Sequence, residues 1–182
     1  MFQHLPPHGE LVFFDVKPVT VKAYGGRRWS GARMVLRKYQ KTRGRFYLFT
    51  LYAVKQGRIR WRYYHGKDST YVCRFMRLVR RWYTDAEVWV VLDQDSAHPC
   101  KSKLTRRVMR ELQLHWISLP KQSPDDNPCE NIFSDVQLNV QDNSDDHDER
   151  TMQRRISHRL TRRNRRQDRF IAIPYLWHSH KG

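Results

Sequence analysis

The run Val88-Trp-Val-Val-Leu92 constrains this chain more than any other segment. Five consecutive apolar residues are too few for a buried helix and leave no polar face for water, so they suit a strand covered on both sides. The flanks supply the cover. Before the run, Val72, Phe75, Met76, Val79 and Trp82 recur at helical spacing, with Arg74, Arg77 and Arg81 off that stripe. After it, Leu104, Val108 and Leu112 repeat the pattern, with Arg106, Arg107 and Arg110 elsewhere. His115-Trp-Ile-Ser-Leu119 then reads as another short strand, and a strand–helix–strand passage of this kind makes a right-handed parallel crossover.

Upstream, Leu11–Val16 reads as a buried strand and Arg45–Val54 as a central one, apolar on both alternating faces. Lys55-Gln56-Gly57 turns the chain, and Arg58–Tyr64 alternates basic and apolar as an exposed antiparallel strand does. Downstream, Asn127-Pro128 opens a third helix with Ile132, Phe133, Val136 and Val140 inward. A fourth helix starts near Asp148, with acids before it, arginines at its end and a thin stripe of Met152, Ile156 and Leu160. The expected fold is α/β: a mixed five-stranded sheet, three antiparallel strands followed by two parallel ones, with helices on both faces. Residues 1–140 form its core, and 141–182 form an arginine-rich helix and tail packed on that core.

Charge narrows the function. The 182 residues carry a formal net charge of +17, with 15 basic and 3 acidic side chains among residues 1–70. An excess of that size points to a polyanion, nucleic acid first and anionic membrane second. Between Lys22 and Arg45 no acid interrupts Arg27, Arg28, Arg33, Arg37, Lys38, Lys41 and Arg43, and Tyr24, Trp29 and Tyr39 lie among them. Guanidinium groups for phosphates beside flat rings for bases suit a nucleic-acid groove, although a solvated basic loop has the same composition. Arg162 and Arg163 on the last helix are further candidates for DNA contact, the alternative there being a solvated surface helix. The apolar runs fall far short of the ~20 residues of a membrane span. Three scattered cysteines and the lack of a signal-like start fit a cytoplasmic protein.

Acids at strand ends stand out in so basic a chain. Asp15 closes the first apolar run, Asp93 closes the fourth, and Glu130 opens the helix after the fifth. If the first and fourth strands are neighbours, the three carboxylates meet at one end of the sheet. Close like charges call for a cation, and hard oxygen donors select Mg²⁺ or Mn²⁺. Two such ions suit phosphodiester chemistry. The bland readings are a capping box from Asn127 to Glu130 and ordinary strand-end acids. A zinc site from His98, Cys100, His115 and Cys129 matches no compact Cys/His spacing.

The segment Leu119-Pro-Lys-Gln-Ser-Pro-Asp-Asp-Asn-Pro-Cys-Glu130 closely resembles the signature before the last catalytic glutamate of DDE transposases in the mariner-like superfamily, including their bacterial insertion-sequence branch. Val90-Val-Leu-Asp-Gln-Asp-Ser-Ala-His98 resembles the second motif and Phe13-Phe14-Asp15 the first, with 36 residues between Asp93 and Glu130. Val16, Gln94 and Asp126 depart from the usual pattern without removing a ligand. The resemblance implies an RNase H-like fold, with the first strand beside the fourth. It implies cut-and-paste DNA cleavage and strand transfer by Asp15, Asp93 and Glu130 with two Mg²⁺ or Mn²⁺ ions. It also implies transposon-end and target duplexes as partners, homo-oligomers on paired ends, and a nucleoid-associated site of action.

His98 is an accessory candidate that either positions a phosphate or an acid, or caps the following helix. Asn127 is a second candidate. Family members carry helix-turn-helix modules ahead of the catalytic domain, whereas the aspartate matching the first motif here is residue 15. That leads to the expectation of a separate chain supplying the module, or of a truncated remnant that binds DNA or full-length transposase without turnover.

Overall fold

β1 (Gly9–Val21), β2 (Gly44–Ala53) and β3 (Arg58–Tyr64) run antiparallel. On the other side of β1, β4 (Glu87–Leu92) and β5 (Leu114–Ser118) continue the sheet in parallel, giving the order β3-β2-β1-β4-β5. The computed structural model describes residues 8–22, 42–95, 97–98, 101–120, 127–142, 144 and 148–166. Among these residues four helices, α1 (Ser69–Trp82), α2 (Lys103–Glu111), α3 (Pro128–Val136) and α4 (Glu149–Arg166), cover both faces, and a π turn, Gln137–Gln141, prolongs α3.

Alternation along the strands builds two cores. Leu11, Phe13, Val19 and Val21 of β1 point to one face, where they meet Phe46, Leu48, Ile132, Phe133, Met152, Ile156 and Leu160. Val12 and Phe14 point to the other, against Phe49, Leu51, Phe75, Met76, Val90 and Met109. Thus α3 and α4 lie on one side and α1 and α2 on the other. The predicted inward residues of α3 and α4 are all buried.

Two expectations need correction. β1 does not stop at Val16 but continues to Val21, so Asp15 lies inside the strand. It is β4 that ends beside it, its pairing with β1 closing at Phe13↔Val91. Beyond that point β1 has only β2 as a neighbour, and Pro18 is accommodated because an edge tolerates a residue without N–H. On α2, the buried residues are Thr105, Val108 and Met109, while Leu104 is 40% exposed. Thr105 is drawn inward because its hydroxyl donates to the carbonyl of Ala97 at 2.7 Å, a satisfied polar burial invisible to an apolar stripe.

α4 is bound to the sheet by more than its stripe. The Asn164 side-chain amide accepts from the N–H of Ile59 at 2.9 Å and donates to the carbonyl of Ile59 at 2.8 Å. It thereby closes part of edge strand β3. Trp61 Nε1 donates to Ser157 Oγ at 3.1 Å, and the Tyr63 hydroxyl lies 2.8 Å from the same oxygen. Among the described residues no helix is long and apolar enough to cross a membrane.

Candidate active site

β1 and β4 are parallel neighbours, and extending their register by two residues sets Asp15 level with Asp93. Parallel pairing therefore brings two acids 78 positions apart in sequence to adjacent strands. Asp15 belongs to the odd-numbered side chains of β1, which face α3. There its Oδ2 accepts from Asn127 Nδ2 at 3.1 Å and its Oδ1 from the N–H of Val16 at 2.7 Å. Asn127 is also the N-cap of α3, its Oδ1 accepting from the N–H of Cys129 at 3.1 Å. One buried amide thus ties the helix start to the strand acid. The Cys129 thiol donates to the carbonyl of Phe13 at 3.4 Å, which seats the first turn of α3 on β1. Glu130 lies in that turn with an exposed side chain. The capping box is not formed among the described residues, because the Asn127 side chain accepts from the N–H of Cys129 and not from that of Glu130.

Asp93 is held by His98. His98 Nδ1 lies 2.6 Å from Asp93 Oδ1 and 3.0 Å from the Asp93 carbonyl, and the ring packs edge-on against Phe14. The imidazole is buried and the carboxylate half exposed, so a fixed ring orients a solvent-facing acid. His98 does not cap α2, whose N-cap is Ser102 with its Oγ accepting from the N–H of Thr105. Gln94 Nε2 donates to the carbonyl of Leu119 at 3.1 Å, joining the loops that leave β4 and β5.

The charges respond to this crowding. Burial first, and then the negative charges of Glu130 and Asp93, push Asp15 up to about 7, against the lowering effect of the Val16 N–H. The hydrogen bond from His98 holds Asp93 below the usual carboxylate range. Burial tends to lower His98, yet its bonds to Asp93 prevail and raise it.

A divalent cation fits the donor chemistry here. Three carboxylates influence one end of the sheet, and no lysine or arginine figures among the groups that shift Asp15. Directly across from Asp15 on β2, Thr50 is fully buried, and its hydroxyl has no hydrogen-bond partner. An orphaned hydroxyl across the strand pair from Asp15 marks a place where a further oxygen contact is owed. The side chains are not yet gathered: among the described residues, no group of three or more His, Cys, Asp or Glu stands close enough to hold a metal ion. Nothing in the sequence singles out Thr50, which sits within an ordinary strand.

The basic candidates divide. Arg27, Arg28, Trp29, Arg33, Arg37 and Lys38 lie outside the described residues, as do Ser123 to Asp126 of the signature and Cys100. Arg162 is exposed on α4. Arg163 instead turns back onto Asp135 of α3 at 3.3 Å, where Arg159 also binds through two nitrogens. Asp135, which sequence reading passes over, thus ties α4 to α3, and Arg163 contributes to that tie. Arg154, Arg155, His158, Arg159 and Arg162 line a cavity of about 460 Å³ with Asn139.

Replacing Asn127 with alanine removes a cap and the tie to Asp15. The expected cost is about 1–3 kcal/mol in denaturant unfolding. Asn127→Ser, which keeps the cap but is too short for Asp15, should recover about half of it. Equal losses in the two variants would show that the tie to Asp15 contributes most of the effect.

Residues 10–153 match the family model described as DDE superfamily endonuclease. No curated protein matches the chain by sequence. Among solved structures, the Mos1 transposase paired-end complex with left transposon end superposes with a TM-score of 0.66 at 13% identity, covering 85% of this chain and 48% of that one. The Mos1 mariner paired-end complex with Mn gives 0.62 at 12% identity, with 83% and 48% covered. The catalytic domain of Mos1 mariner transposase gives 0.59 at 9% identity, with 83% and 69% covered. These likenesses are likenesses of fold, and the chain spans about half the length of the first two.

Proposed function

The chain belongs to the DDE superfamily endonuclease family, and from that premise we propose that it is the catalytic domain of a cut-and-paste DNA transposase of the bacterial insertion-sequence type, acting in the cytoplasm on nucleoid DNA. The observation that carries the reading is the placement of Asp15 on β1 beside Asp93, the residue that follows the parallel strand β4, with Glu130 in the first turn of the helix tied to Asp15. These three acids are the proposed catalytic residues and the ligands of Mg²⁺ or Mn²⁺, two ions being expected. Bound divalent cations supply activation of the attacking oxygen and stabilisation of the leaving oxygen.

The chain's own residues do the rest. β1 fixes Asp15 through its pairing with β2, and the N–H of Val16 and the amide of Asn127 hold its carboxylate. His98 holds Asp93 ionised and aimed at solvent, where a scissile phosphate can approach. Glu130, on the exposed side of its turn, would complete the set of ligands. Arg162, with the arginines of the 22–45 segment, meets DNA backbone phosphates. Partners follow from the same reading: transposon-end and target duplexes, a second copy on paired ends, and a further chain supplying end recognition.

The test is conversion of supercoiled plasmid to nicked circle with Mn²⁺ or Mg²⁺ and its suppression by a chelator. DNA that is bound yet never cleaved in either metal would support the alternative, a transposase remnant without turnover. What favours that alternative is that, among the described residues, no group of three or more His, Cys, Asp or Glu stands close enough to hold a metal ion.

A pH dependence follows from Asp15. With its folded value raised to about 7, the protonated form is the one the fold favours. The stability this contributes is complete below the ordinary carboxylate range and is lost as pH rises through about 7. A cation needs the ionised form, so its binding releases a proton in that window. The Mn²⁺-induced rise in Tm is expected to be larger at pH 7.5 than at 5.5, apparent affinity growing roughly tenfold per pH unit below 7. Asp15→Asn should flatten the dependence; an unchanged dependence in that variant would remove Asp15 as its source.

A further inference from the structure

α1 and α2 lie side by side and run in the same direction. Ser69 Oγ donates to Ser102 Oγ at 2.8 Å where the two helices start, and Cys73 Sγ donates to Thr105 Oγ1 at 3.9 Å one turn on. Both start at the end of the sheet where β4 delivers Asp93, and both run away from it. Their outward faces carry two rows of cations at helical repeat: Arg74, Arg77 and Arg81 on α1, and Lys103, Arg107 and Arg110 on α2. All six are exposed. The Ser69–Ser102 and Cys73–Thr105 contacts set the two rows on adjoining helices. The two helices contain one acid, Glu111, in an exposed contact with Arg107 at 3.5 Å.

Helix electrostatics accounts for part of this pattern only. Arg81 and Arg110 sit in last turns, where the macrodipole favours cations. Lys103 sits at the positive end of α2, where a cation is disfavoured, and neither helix has an acid in its first turn. Arg74 and Arg77 lie mid-helix. Like charges at this density repel unless an anion spans them. The 14 residues of α1 rise about 21 Å, the length of about six base pairs at 3.4 Å each.

From this we infer that the outer face of α1 and α2 is a second duplex-DNA track, reading backbone phosphate and not base sequence. The inference rests on duplex DNA being the partner of this chain. It goes beyond the arginines of α4, because α4 packs on the opposite face of the sheet. A straight duplex on one outer surface cannot reach the other, so one copy of the chain holds two separate duplex segments. The track begins at the rim of the acidic site, which suits a segment that must be led to the acids or away from them.

The test uses the full chain without divalent metal. One 20-base-pair duplex is immobilised, the chain is loaded on it, and capture of a second, unlinked fluorescent duplex is measured. The wild type captures it. The triple variant Arg74→Gln, Arg77→Gln, Arg107→Gln loses capture at least about tenfold. The salt slope of that capture falls by about 2–3, at roughly 0.9 per phosphate contact. Binding to the first duplex and Tm stay nearly unchanged, since the three side chains are exposed. The corresponding triple lysine variant keeps the charge and keeps capture. Undiminished capture by the glutamine variant overturns the inference. So does loss of anionic-vesicle binding by that variant with capture intact, which would make the face a membrane surface. If the wild type holds neither duplex, the DNA reading itself fails; if it holds one and not the second, only this inference fails.

Discussion

Asp93→Asn is expected to reduce metal-dependent plasmid nicking by about three orders of magnitude or more, since several kcal/mol of transition-state charge stabilisation depend on the metal it would hold. Asparagine matches the carboxylate in shape, and its side-chain oxygen can still accept from His98, so the fold survives. What disappears is one negative charge at a half-exposed position that His98 holds ionised. The hydrogen bond to His98 changes from charge-assisted to neutral, which costs about 1 kcal/mol. His98, no longer facing a carboxylate, should then titrate lower than in the wild type, which an NMR titration of its ring would follow. The nicking rate and the Tm together separate the two roles. A near-normal rate in a variant of normal Tm would remove Asp93 from the chemistry, and with it the proposed active site.

How the sequence foretells this site is instructive. β3 and β4 are legible because each is short and of one pattern: alternation from Arg58 to Tyr63, unbroken apolarity in Val88–Leu92. β1 is legible only in its apolar half. Lys17 and Pro18 interrupt the pattern where the strand loses β4 as a neighbour, and the apparent end of the strand is really the end of that pairing. Asp15 is identified correctly as an outlier while its position, inside a strand, is not. On α2 a buried hydroxyl, Thr105, takes the place that counting apolar residues assigns to Leu104. Periodicity sees carbon, not satisfied oxygen.

The site shows the same division. Three acids at the limits of apolar runs are visible one by one, and their adjacency follows once β1 lies beside β4. The partners that set their behaviour are not visible. The pairing of His98 with Asp93 depends on a loop geometry that no spacing states. Thr50 reaches Asp15 by cross-strand register alone. Asp135, one of several acids in the C-terminal half, acquires its role only because α4 returns across α3 with Arg159 and Arg163 facing it.

That return argues for one cooperative unit running through α4, and Ile156→Ala tests it. Ile156 is fully buried with Met152 and Leu160 in the cluster that contains Phe46, Leu48 and Phe133. Truncation there should cost about 2–5 kcal/mol, a large share of the roughly 5–15 kcal/mol that holds a typical domain together. We expect the loss as one shifted denaturant transition with an unchanged slope, followed equally by tryptophan fluorescence and helical circular dichroism. Asn164 on Ile59, Ser157 under Trp61, and Asp135 gripping Arg159 and Arg163 leave α4 no route to melt without opening β3 and α3. Two separated transitions, or a cost below about 0.5 kcal/mol, would instead mark residues 141–182 as an appendage to a core that ends near 140. The distinction reaches the chemistry. Asp135 stands on the same helix as Glu130, so if α4 and core unfold together, the arginine helix is also what holds the third acid in place.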